Sequence, residues 1–333
     1  MSALSRAVAV AVLLVVAVVT PSANAACPLP ETQRDLAGVH WYADAAGSIV
    51  DRDKRRRHEL ALKPLYDFLT VVARGADAAF TGGPTDDLDC AVAHLRAWAA
   101  DDALTDRPTT IVPLAEQTIA AVGLHLAALK LRNAGRSTEV EDWLGRVAEA
   151  IVRTYETNSQ RANLYAWAGV VAAANDVLSG TDRFRTFHDR VWREATAKVR
   201  SDGHVDAELS RAGRALIYHN YLRGGLALLH RLRSLRGIEA SAEEVAALDR
   251  LQAVVNGSAC DPTSIAERAG TAQEPLDAWS LSIGSHFAGA DRDPRWSACT
   301  VTPPGFSGRT YGGRFDNTDR ALEALARLRR TDR

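Results

Sequence analysis

The octapeptide RALIYHNY, residues 214–221, places a guanidinium, an imidazole, a carboxamide and two phenols within eight residues. In a helix, offsets of four and seven residues put Arg214, Tyr218 and Tyr221 on one face. A guanidinium binds carboxylates through paired hydrogen bonds, and a positioned phenol transfers protons. The octapeptide therefore indicates either a buried polar cluster satisfied by its own members or a site for an anionic substrate with a tyrosine in proton transfer.

A second stretch, RANLYAWAG at residues 161–169, concentrates similar groups. Asn163 and Trp167 are four residues apart and share a helical face. Trp41 and Tyr42, near the start of the chain, can add aromatic surface. Aromatic platforms with polar rims suit sugars, because indole rings pack against the C–H faces of a sugar.

These groups must be positioned by helices, since apolar residues recur at three- and four-residue spacing along most of the chain. Turn signals separate the segments, and period-two strand patterns are scarce. The pattern predicts an all-α fold of about ten antiparallel helices in one domain, residues 26–333, with an irregular region at about 261–317. The predicted helices are Arg57–Val72, Leu88–Ala100, Pro113–Leu131, Glu139–Thr154, Leu164–Leu178, Phe184–Val199, Tyr218–Leu235, Ser241–Val255 and Thr318–Arg330.

The N-terminus has the pattern of a secretory signal peptide. Arg6 precedes an apolar run from Ala7 to Val19, and the Ala-Asn-Ala sequence at residues 23–25 fits a signal peptidase site. The apolar run is about 13 residues, which is too short to span a bilayer comfortably. We therefore expect residues 1–25 to be removed and the mature protein to be periplasmic or secreted, without stable membrane insertion.

Four cysteines, Cys27, Cys90, Cys260 and Cys299, indicate two disulfides in a chain that is expected to be exported. Sequence alone allows three pairings. We favour Cys27–Cys90, which ties the N-terminus to the second helical region, and Cys260–Cys299, which staples the C-terminal part. The chain has no C-x-x-C, so the spacings do not resemble a zinc site.

Composition and motifs argue against several other classes of function. The formal net charge is -1, so the chain has no strong overall field toward nucleic acid or membrane. The sequence has no G-x-G-x-x-G, P-loop, H-E-x-x-H or G-x-S-x-G motif. We expect a monomer with no metal and no cofactor.

The octapeptide and the residues before it resemble the alginate lyase family that includes periplasmic poly(β-D-mannuronate) lyases. That family has a glycine turn, an E-L dipeptide and then R-A-L-x-Y-H-N-Y, and Glu208-Leu209 and residues 214–221 match it at the same spacing. The resemblance implies an (α/α) toroid of antiparallel helical hairpins around a cleft, and it also suggests the Cys27–Cys90 bridge. Weaker matches are Cys27-Pro28, Trp41-Tyr42, the region Asp89 to Ala100 and Tyr311-Gly312-Gly313.

The resemblance implies β-elimination on an anionic uronate polymer such as alginate. Removing the C5 proton beside a carboxylate makes a dianion, so the carboxylate must be neutralised. The family pattern gives that role to Arg214 and Asn163 and makes Tyr221 the general acid and base. Since a free phenol has a pKa near 10, a base role for Tyr221 needs a cation in contact, and Arg214 is the expected one. The predicted substrate-binding residues are Trp41, Tyr42, Trp167, Tyr218 and His219.

Two positions depart from the family pattern, which leaves alternatives open. Leu164 stands where the family has a histidine, and Trp41 stands where it has a lysine. The substrate could then be another polyuronate, or His40 or His219 could supply the imidazole. A second hypothesis is a lyase-like protein that binds an acidic polysaccharide without cutting it. A third is a glycoside hydrolase, which would need Glu208 and a second carboxylate across a cleft.

Overall fold

The computed structural model describes residues 27–331, apart from residues 30, 35, 46, 137, 158–161, 290–292 and 301–304. The predicted signal peptide, residues 1–25, lies outside the described residues. Helices dominate the described part of the chain, as the all-α prediction requires. They are α1 Arg52–Ala61, α2 Lys63–Thr81, α3 Thr85–Ala100, α4 Ile111–Asn133, α5 Glu141–Glu156, α6 Ala162–Ser179, α7 Arg185–Ala197, α8 Asp206–Leu209, α9 Ala215–Leu235, α10 Ala242–Cys260, α11 Thr263–Ala269, α12 Ala278–Ser282, α13 Pro294–Ser297 and α14 Phe315–Thr331.

The long helices form two layers of antiparallel hairpins. Helices α2, α4, α6 and α9 pack on one another in that order, and each also packs on the helix that follows it in its hairpin: α3, α5, α7 and α10. Helix α14 closes the arrangement against α2, α4 and α9. Residues 163–176 of α6 are all buried, as expected for a helix that is apolar on every side.

The first predicted helix is divided in the structure. The sequence pattern predicted one helix over Arg57–Val72, but α1 ends at Ala61 and α2 begins at Lys63, with Leu62 between them. Pro64 explains the break, because proline lacks an N–H and its ring clashes with the carbonyl four residues earlier, although it is tolerated in the first turn of a new helix.

Helix α10 begins where the sequence predicted. Ser241 is its N-cap, and the Ser241 side chain accepts from the backbone N–H of Glu244 while the Glu244 carboxylate accepts from the backbone N–H of Ser241. This reciprocal capping box satisfies two backbone donors at the helix start. It fixes where the α9–α10 hairpin turns.

The region predicted to be irregular contains short helices and one small hairpin. Strands β1, Ser307–Gly308, and β2, Gly313–Arg314, pair antiparallel around a 3₁₀ turn at Arg309–Tyr311. We call residues 307–314 the Tyr311 hairpin. The hairpin packs against α2 and α4 in the inner layer.

Both predicted disulfides are confirmed. Cys27 bonds to Cys90 across a Cα–Cα distance of 5.7 Å, and Cys260 bonds to Cys299 across 5.4 Å. The first bridge joins the N-terminal segment, residues 27–50, to α3. The second joins the end of α10 to the chain just after α13.

Helix α4 is a long and mostly apolar helix of the inner layer. Among the described residues it is the one helix whose length and composition would allow it to cross a membrane, and 67% of its most apolar window is buried inside the protein. Its burial is that of a core helix. Gly123 on α4 lies under the Tyr311 hairpin, where a Cβ would come within 2.8 Å of the Thr310 carbonyl oxygen.

Candidate active site

A cleft of about 720 Å³ opens at one end of the inner helices. Its walls come from the N-terminal segment, α4, α6, α8, α9 and the Tyr311 hairpin. Six of the predicted site residues line it: Trp41, Tyr42, Asn163, Arg214, Tyr218 and Tyr221. The cleft therefore brings together residues that are far apart in the chain.

Tyr221 lies at the buried side of the cleft, with only 8% of its surface exposed. The hydroxyl of Tyr311 donates a hydrogen bond to the hydroxyl oxygen of Tyr221 over 3.0 Å. The rings of Trp167 and Trp279 lie 5.0 and 5.2 Å from the Tyr221 ring, measured between centroids. Burial, and secondarily the neighbouring Tyr311, raises the pKa of Tyr221 well above its usual value. Tyr221 is therefore a protonated phenol at neutral pH.

Arg214 lies at the opposite, more polar side of the same cleft. Its guanidinium donates to the hydroxyl oxygen of Tyr42 over 2.5 Å, and the hydroxyls of Tyr42 and Tyr218 are 2.8 Å apart. The carboxylate of Glu274 is 3.5 Å from Nε of Arg214. A second guanidinium, that of Arg211, lies over the ring of Tyr218 at 4.6 Å. On this side of the cleft, the guanidinium groups of Arg214 and Arg211 therefore contact the side chains of Tyr42 and Tyr218.

The backbone turn just before α9 sets the direction of the Arg214 side chain. Ala212 has φ 49, a left-handed conformation that is strained for a residue with a Cβ. The side chain of Gln273 holds this turn, since its Nε2 donates to the Ala212 carbonyl over 3.0 Å and its Oε1 accepts from the Leu216 N–H over 3.0 Å. Arg214 itself is the N-cap of α9.

The predicted contact between Arg214 and Tyr221 is replaced in the structure by two separate contacts. Arg214 bonds to Tyr42, and Tyr221 bonds to Tyr311. A seven-residue offset along a helix is a rise of about 10 Å, so sharing a face does not bring the two side chains together. The guanidinium turns toward the N-terminal segment instead, where the Trp41 ring lies 5.9 Å from it.

Asn163 is bonded to a buried carboxylate. Its Nδ2 lies 3.0 and 2.8 Å from the two carboxylate oxygens of Glu208, and its backbone N–H donates to the same group over 3.2 Å. Glu208 is 1% exposed, and burial raises its pKa to about 7, against the lowering effects of Asn163 and Arg211. The carboxyl of Glu208 thus caps the first turn of α6 and orients the Asn163 amide.

Leu164 and Trp41, the two positions that were expected to depart from the family pattern, both line the cleft. Leu164 lines it beside Asn163 and is 9% exposed. Trp41 stacks on Tyr42 with ring centroids 3.9 Å apart, and the guanidinium of Arg55 lies 5.6 Å from the Trp41 ring. The indole of Trp41 therefore lies close to two guanidinium groups, those of Arg55 and Arg214.

Two of the predicted substrate-binding residues lie in the core. His219 is fully buried: its Nδ1 is 2.8 Å from the Ala215 carbonyl oxygen, its Nε2 accepts from the Val205 N–H over 3.0 Å, and burial lowers its pKa to about 4. Trp167 is also fully buried, and its ring packs behind Tyr221. His219 is five residues from Arg214, an offset that turns its side chain to another face of the helix.

The cleft also holds residues outside the predicted set of site residues. Trp279 and Tyr311 line it from the region predicted to be irregular. Glu116 lines it from α4, and its two carboxylate oxygens bond to His58 Nε2 at 3.1 Å and to the Tyr66 hydroxyl at 3.0 Å. Glu116 is the one acidic residue of a mostly apolar helix, and that was the signal that could have indicated it.

The arrangement of helices is similar to solved structures of alginate lyase A1-III. A variant of that enzyme complexed with a tetrasaccharide matches with a TM-score of 0.70 at 20% identity, over 88% of this chain and 85% of that one. Alginate lyase A1-III from Sphingomonas species A1 matches with a TM-score of 0.69 at 19% identity, over the same shares of the two chains. The similarity shows the fold, which is the predicted (α/α) toroid.

Comparison of the amino-acid sequence with known proteins identifies the family of this chain. The family model described as "Alginate lyase" matches residues 28–264. A protein named polysaccharide lyase from Stenotrophomonas maltophilia is 28% identical over 275 residues, which are 80% of this chain and 83% of that one. An alginate lyase of Pseudomonas fluorescens is 26% identical over 330 residues, with 87% and 88% coverage. The chain belongs to the alginate lyase family.

Proposed function

We propose that the protein is a polysaccharide lyase that cleaves an anionic uronate polymer, alginate or a similar one, by β-elimination. The observation that carries this proposal is the convergence of Tyr221, Arg214 and Asn163 on one cleft. A phenol, a guanidinium and a carboxamide are groups that can transfer a proton and neutralise a carboxylate during elimination.

The elimination breaks one C–H bond and one C–O bond. A base takes the hydrogen from C5, and the electron pair of that C–H bond forms the double bond between C4 and C5. The bond from C4 to the glycosidic oxygen breaks with its electron pair on the oxygen, which then takes a proton from a general acid. Negative charge spreads from C5 into the adjacent carboxylate, so groups that bind this carboxylate lower the barrier.

Tyr221 is the general acid and base of this reaction, and its surroundings favour its role as the acid, which donates a proton to the glycosidic oxygen. Tyr311 donates to the Tyr221 oxygen, which leaves the Tyr221 hydrogen available for an acceptor in the cleft. Burial holds that hydrogen in place by raising the pKa of Tyr221. The glycosidic oxygen of a bound sugar is such an acceptor. To act as the base, Tyr221 must first become a phenolate, and a cation in the substrate complex favours that step.

Arg214 and Asn163 neutralise the uronate carboxylate. Arg214 presents a rigid fork of donors that matches a carboxylate, of which one donor now bonds to Tyr42. Asn163 has two amide hydrogens, so one can stay on Glu208 while the other reaches the substrate. Because the pKa of Glu208 is raised to about 7, its carboxyl is partly protonated near neutral pH, which lessens its repulsion of the substrate carboxylate.

The surroundings of these groups favour a polymer with regularly spaced acids. Arg55 and Arg211 line the cleft together with Arg214. Leu164 offers no proton or charge where the family has a histidine. Of the two histidines that could replace it, His40 lines the cleft and His219 is buried in the core. We therefore assign the missing imidazole role to His40.

The proposal includes an exported, monomeric enzyme that works without a metal or cofactor. The signal-like N-terminus motivates export, and two disulfides fit an oxidising compartment. The elimination moves a proton and an electron pair between groups that side chains alone can provide. No nucleic acid or membrane is needed as a partner.

A substrate screen tests the function. The protein is incubated with mannuronate-rich, guluronate-rich and other uronate polymers, with a neutral mannan as the control that lacks carboxylates. We expect ultraviolet absorbance from the unsaturated product with at least one uronate polymer and none with mannan.

Other results of the screen identify the alternatives. Binding to a uronate polymer without any absorbance would show a lyase-like protein that holds an acidic polysaccharide without cutting it. New reducing ends without absorbance would show a hydrolase, for which Glu116, Glu208 and Asp277 are the candidate carboxylates at the cleft.

A further inference from the structure

A buried lysine outside the cleft holds the Tyr311 hairpin. Lys130 on α4 is fully buried. Its ammonium donates to Asp77 Oδ1 over 2.9 Å, to the Gly312 carbonyl over 2.7 Å and to the Arg314 carbonyl over 3.0 Å. An ammonium has three donors, and all three are used here. Two of the three acceptors belong to the backbone of the Tyr311 hairpin.

Asp77 on α2 completes the same cluster from the other side. Its Oδ2 accepts from the Arg314 N–H over 2.8 Å, and its Oδ1 accepts from Asn317 Nδ2 over 2.9 Å as well as from Lys130. Gly313 has φ 103, and a Cβ at that position would overlap the Asp77 carboxylate. The Lys130–Asp77 pair therefore binds the backbone of β2 on either side of Gly313.

The hairpin depends on such anchors for its position. Each of its strands has two residues, and an isolated hairpin of that length is not stable in water. On the α4 side, a Cβ at Gly312 would come within 2.7 Å of the Gly123 carbonyl oxygen, so the backbones are in direct contact. The ring of Tyr311 is fully buried between these anchors and the cleft.

We propose that Lys130 and Asp77 are positioning residues of the active site, which act by holding the Tyr311 hydroxyl on Tyr221. The chain of contacts is continuous: the ammonium holds the carbonyls of Gly312 and Arg314, both of which follow Tyr311 within three residues, and Tyr311 donates to the Tyr221 oxygen over 3.0 Å. Lys130 itself does not line the cleft. This proposal rests on the proposed function, and it adds residues that the family motif around the octapeptide does not contain.

A buried ion pair can also serve stability alone, and a double-mutant cycle separates the two roles. Lys130→Met removes the ammonium with little change in volume, and Tyr311→Phe removes only the hydroxyl. We expect Lys130→Met to lower kcat by about 100-fold, the size of effect expected when a reacting group is misplaced by about 1 Å. If Lys130 acts through Tyr311, the double variant loses no more than Lys130→Met alone. Effects that multiply would overturn the proposal.

A matched control removes a buried ion pair elsewhere. Arg233 on α9 is 4% exposed and pairs with Asp189 at 3.0 Å, away from the hairpin. Arg233→Met is expected to lower the unfolding temperature and to leave kcat within about 3-fold of the parent protein, as for a change outside the site. If Lys130→Met fails to fold, Asp77→Asn takes its place in the cycle. An equal loss of kcat in Arg233→Met would also overturn the proposal.

A second readout does not need lyase activity. With tyrosines labelled at Cζ, nuclear magnetic resonance follows the titration of Tyr221 and Tyr311, assigned through their phenylalanine variants. We expect Lys130→Met or Asp77→Asn to move the Tyr221 titration toward the free value near 10, whereas Arg233→Met leaves it unchanged. An unchanged Tyr221 titration in the Lys130 and Asp77 variants would contradict the positioning role even if the substrate screen fails.

Discussion

Two pairs of tyrosines line the same cleft and differ in what surrounds them. Tyr42 and Tyr218 have their hydroxyls 2.8 Å apart, and Tyr221 and Tyr311 have theirs 3.0 Å apart. The first pair carries the guanidinium of Arg214, whereas the second lies among indole rings. Tyr218 and Tyr221 are only three residues apart on α9, so a single turn of helix separates two electrostatic environments.

Under the proposed function, this difference lets one helix supply both kinds of group that an elimination needs. The side with Arg214 can exchange its phenol partners for the carboxylate of a substrate. The buried side holds a proton, because burial raises the pKa of Tyr221 with no cation among its main causes. Burial also raises the pKa of Tyr42, but there Arg214 opposes the rise. The two tyrosine pairs thus have similar distances between their hydroxyls but different roles: one lies where an anion can bind, and the other keeps a phenol protonated.

The largest expected effect comes from removing the buried phenol. Tyr221→Phe should lower kcat by about 1,000-fold, within the range for a lost general acid–base group, and leave polymer binding nearly unchanged. Tyr218→Phe is the matched control on the same helix, and it should cost less than Tyr221→Phe. Steady-state kinetics and binding isotherms measure both. A larger loss of kcat in Tyr218→Phe than in Tyr221→Phe would show that the Tyr42–Tyr218 pair, and not the Tyr221–Tyr311 pair, supplies the acid–base group.

The second prediction tests whether burial alone holds a proton in this cleft. Burial raises the pKa of Glu208 from 4.5 to about 7, so the folded state binds this proton more tightly than the unfolded state. Stability is then lost as the pH rises from about 4.5 to 7, by about 3 kcal/mol for this group. Glu208→Gln should remove that loss, as measured by urea unfolding at pH 5 and pH 8.

The matched control for Glu208 is on the same short helix. Asp206 has a side chain that is 77% exposed, so Asp206→Asn should keep the stability difference between pH 5 and pH 8. An unaltered difference in Glu208→Gln would show that burial does not hold a proton there, and the same argument for Tyr221 would weaken.

The third prediction concerns the cationic side. Arg214→Met should lower kcat/KM on a uronate polymer by about 10- to 100-fold, the equivalent of one hydrogen bond to a charged group. Arg214→Lys keeps the charge but loses the planar fork, so it should recover only part of the activity. Full recovery by lysine would show that charge alone matters and that the paired geometry with Tyr42 does not.

The smallest expected effect is a gain. Leu164→His should raise turnover of alginate by about 10-fold, a small part of what a general acid–base group contributes, if an imidazole at position 164 serves the reaction better than that of His40. Ile119→His, at another apolar position of the cleft, is the control and should give no gain. If Leu164→His is also without effect, His40 already fills that role or the cleft accepts another sugar.

Much of the fold followed from the sequence because helices leave a periodic signal. The all-α class and both disulfides were predicted, and each predicted helix has a counterpart. The division between α1 and α2 was missed although Pro64 marks it, since apolar spacing continues across the break. The Tyr311 hairpin could not be predicted, because two-residue strands have no period.

The site was predictable where the groups lie on one helix and less so where they meet across the fold. The octapeptide identified Arg214 and Tyr221, and the structure confirms that both line one cleft. It could not identify their partners, since Tyr42 lies 172 residues before Arg214 and Tyr311 lies 90 residues after Tyr221. His219 was misplaced because residue type alone does not distinguish a catalytic imidazole from one that bonds to backbone groups.

The position of the Tyr311 hairpin has a consequence for anyone who shortens this chain. The family match ends at residue 264, which would be a natural place to trim the protein for expression. A chain trimmed there would leave Lys130 with one of its three acceptors and Tyr221 without its donor. Such a fragment would carry the whole octapeptide and still leave a buried ammonium with two of its three donors unpaired, so a shortened chain should extend at least through residue 317.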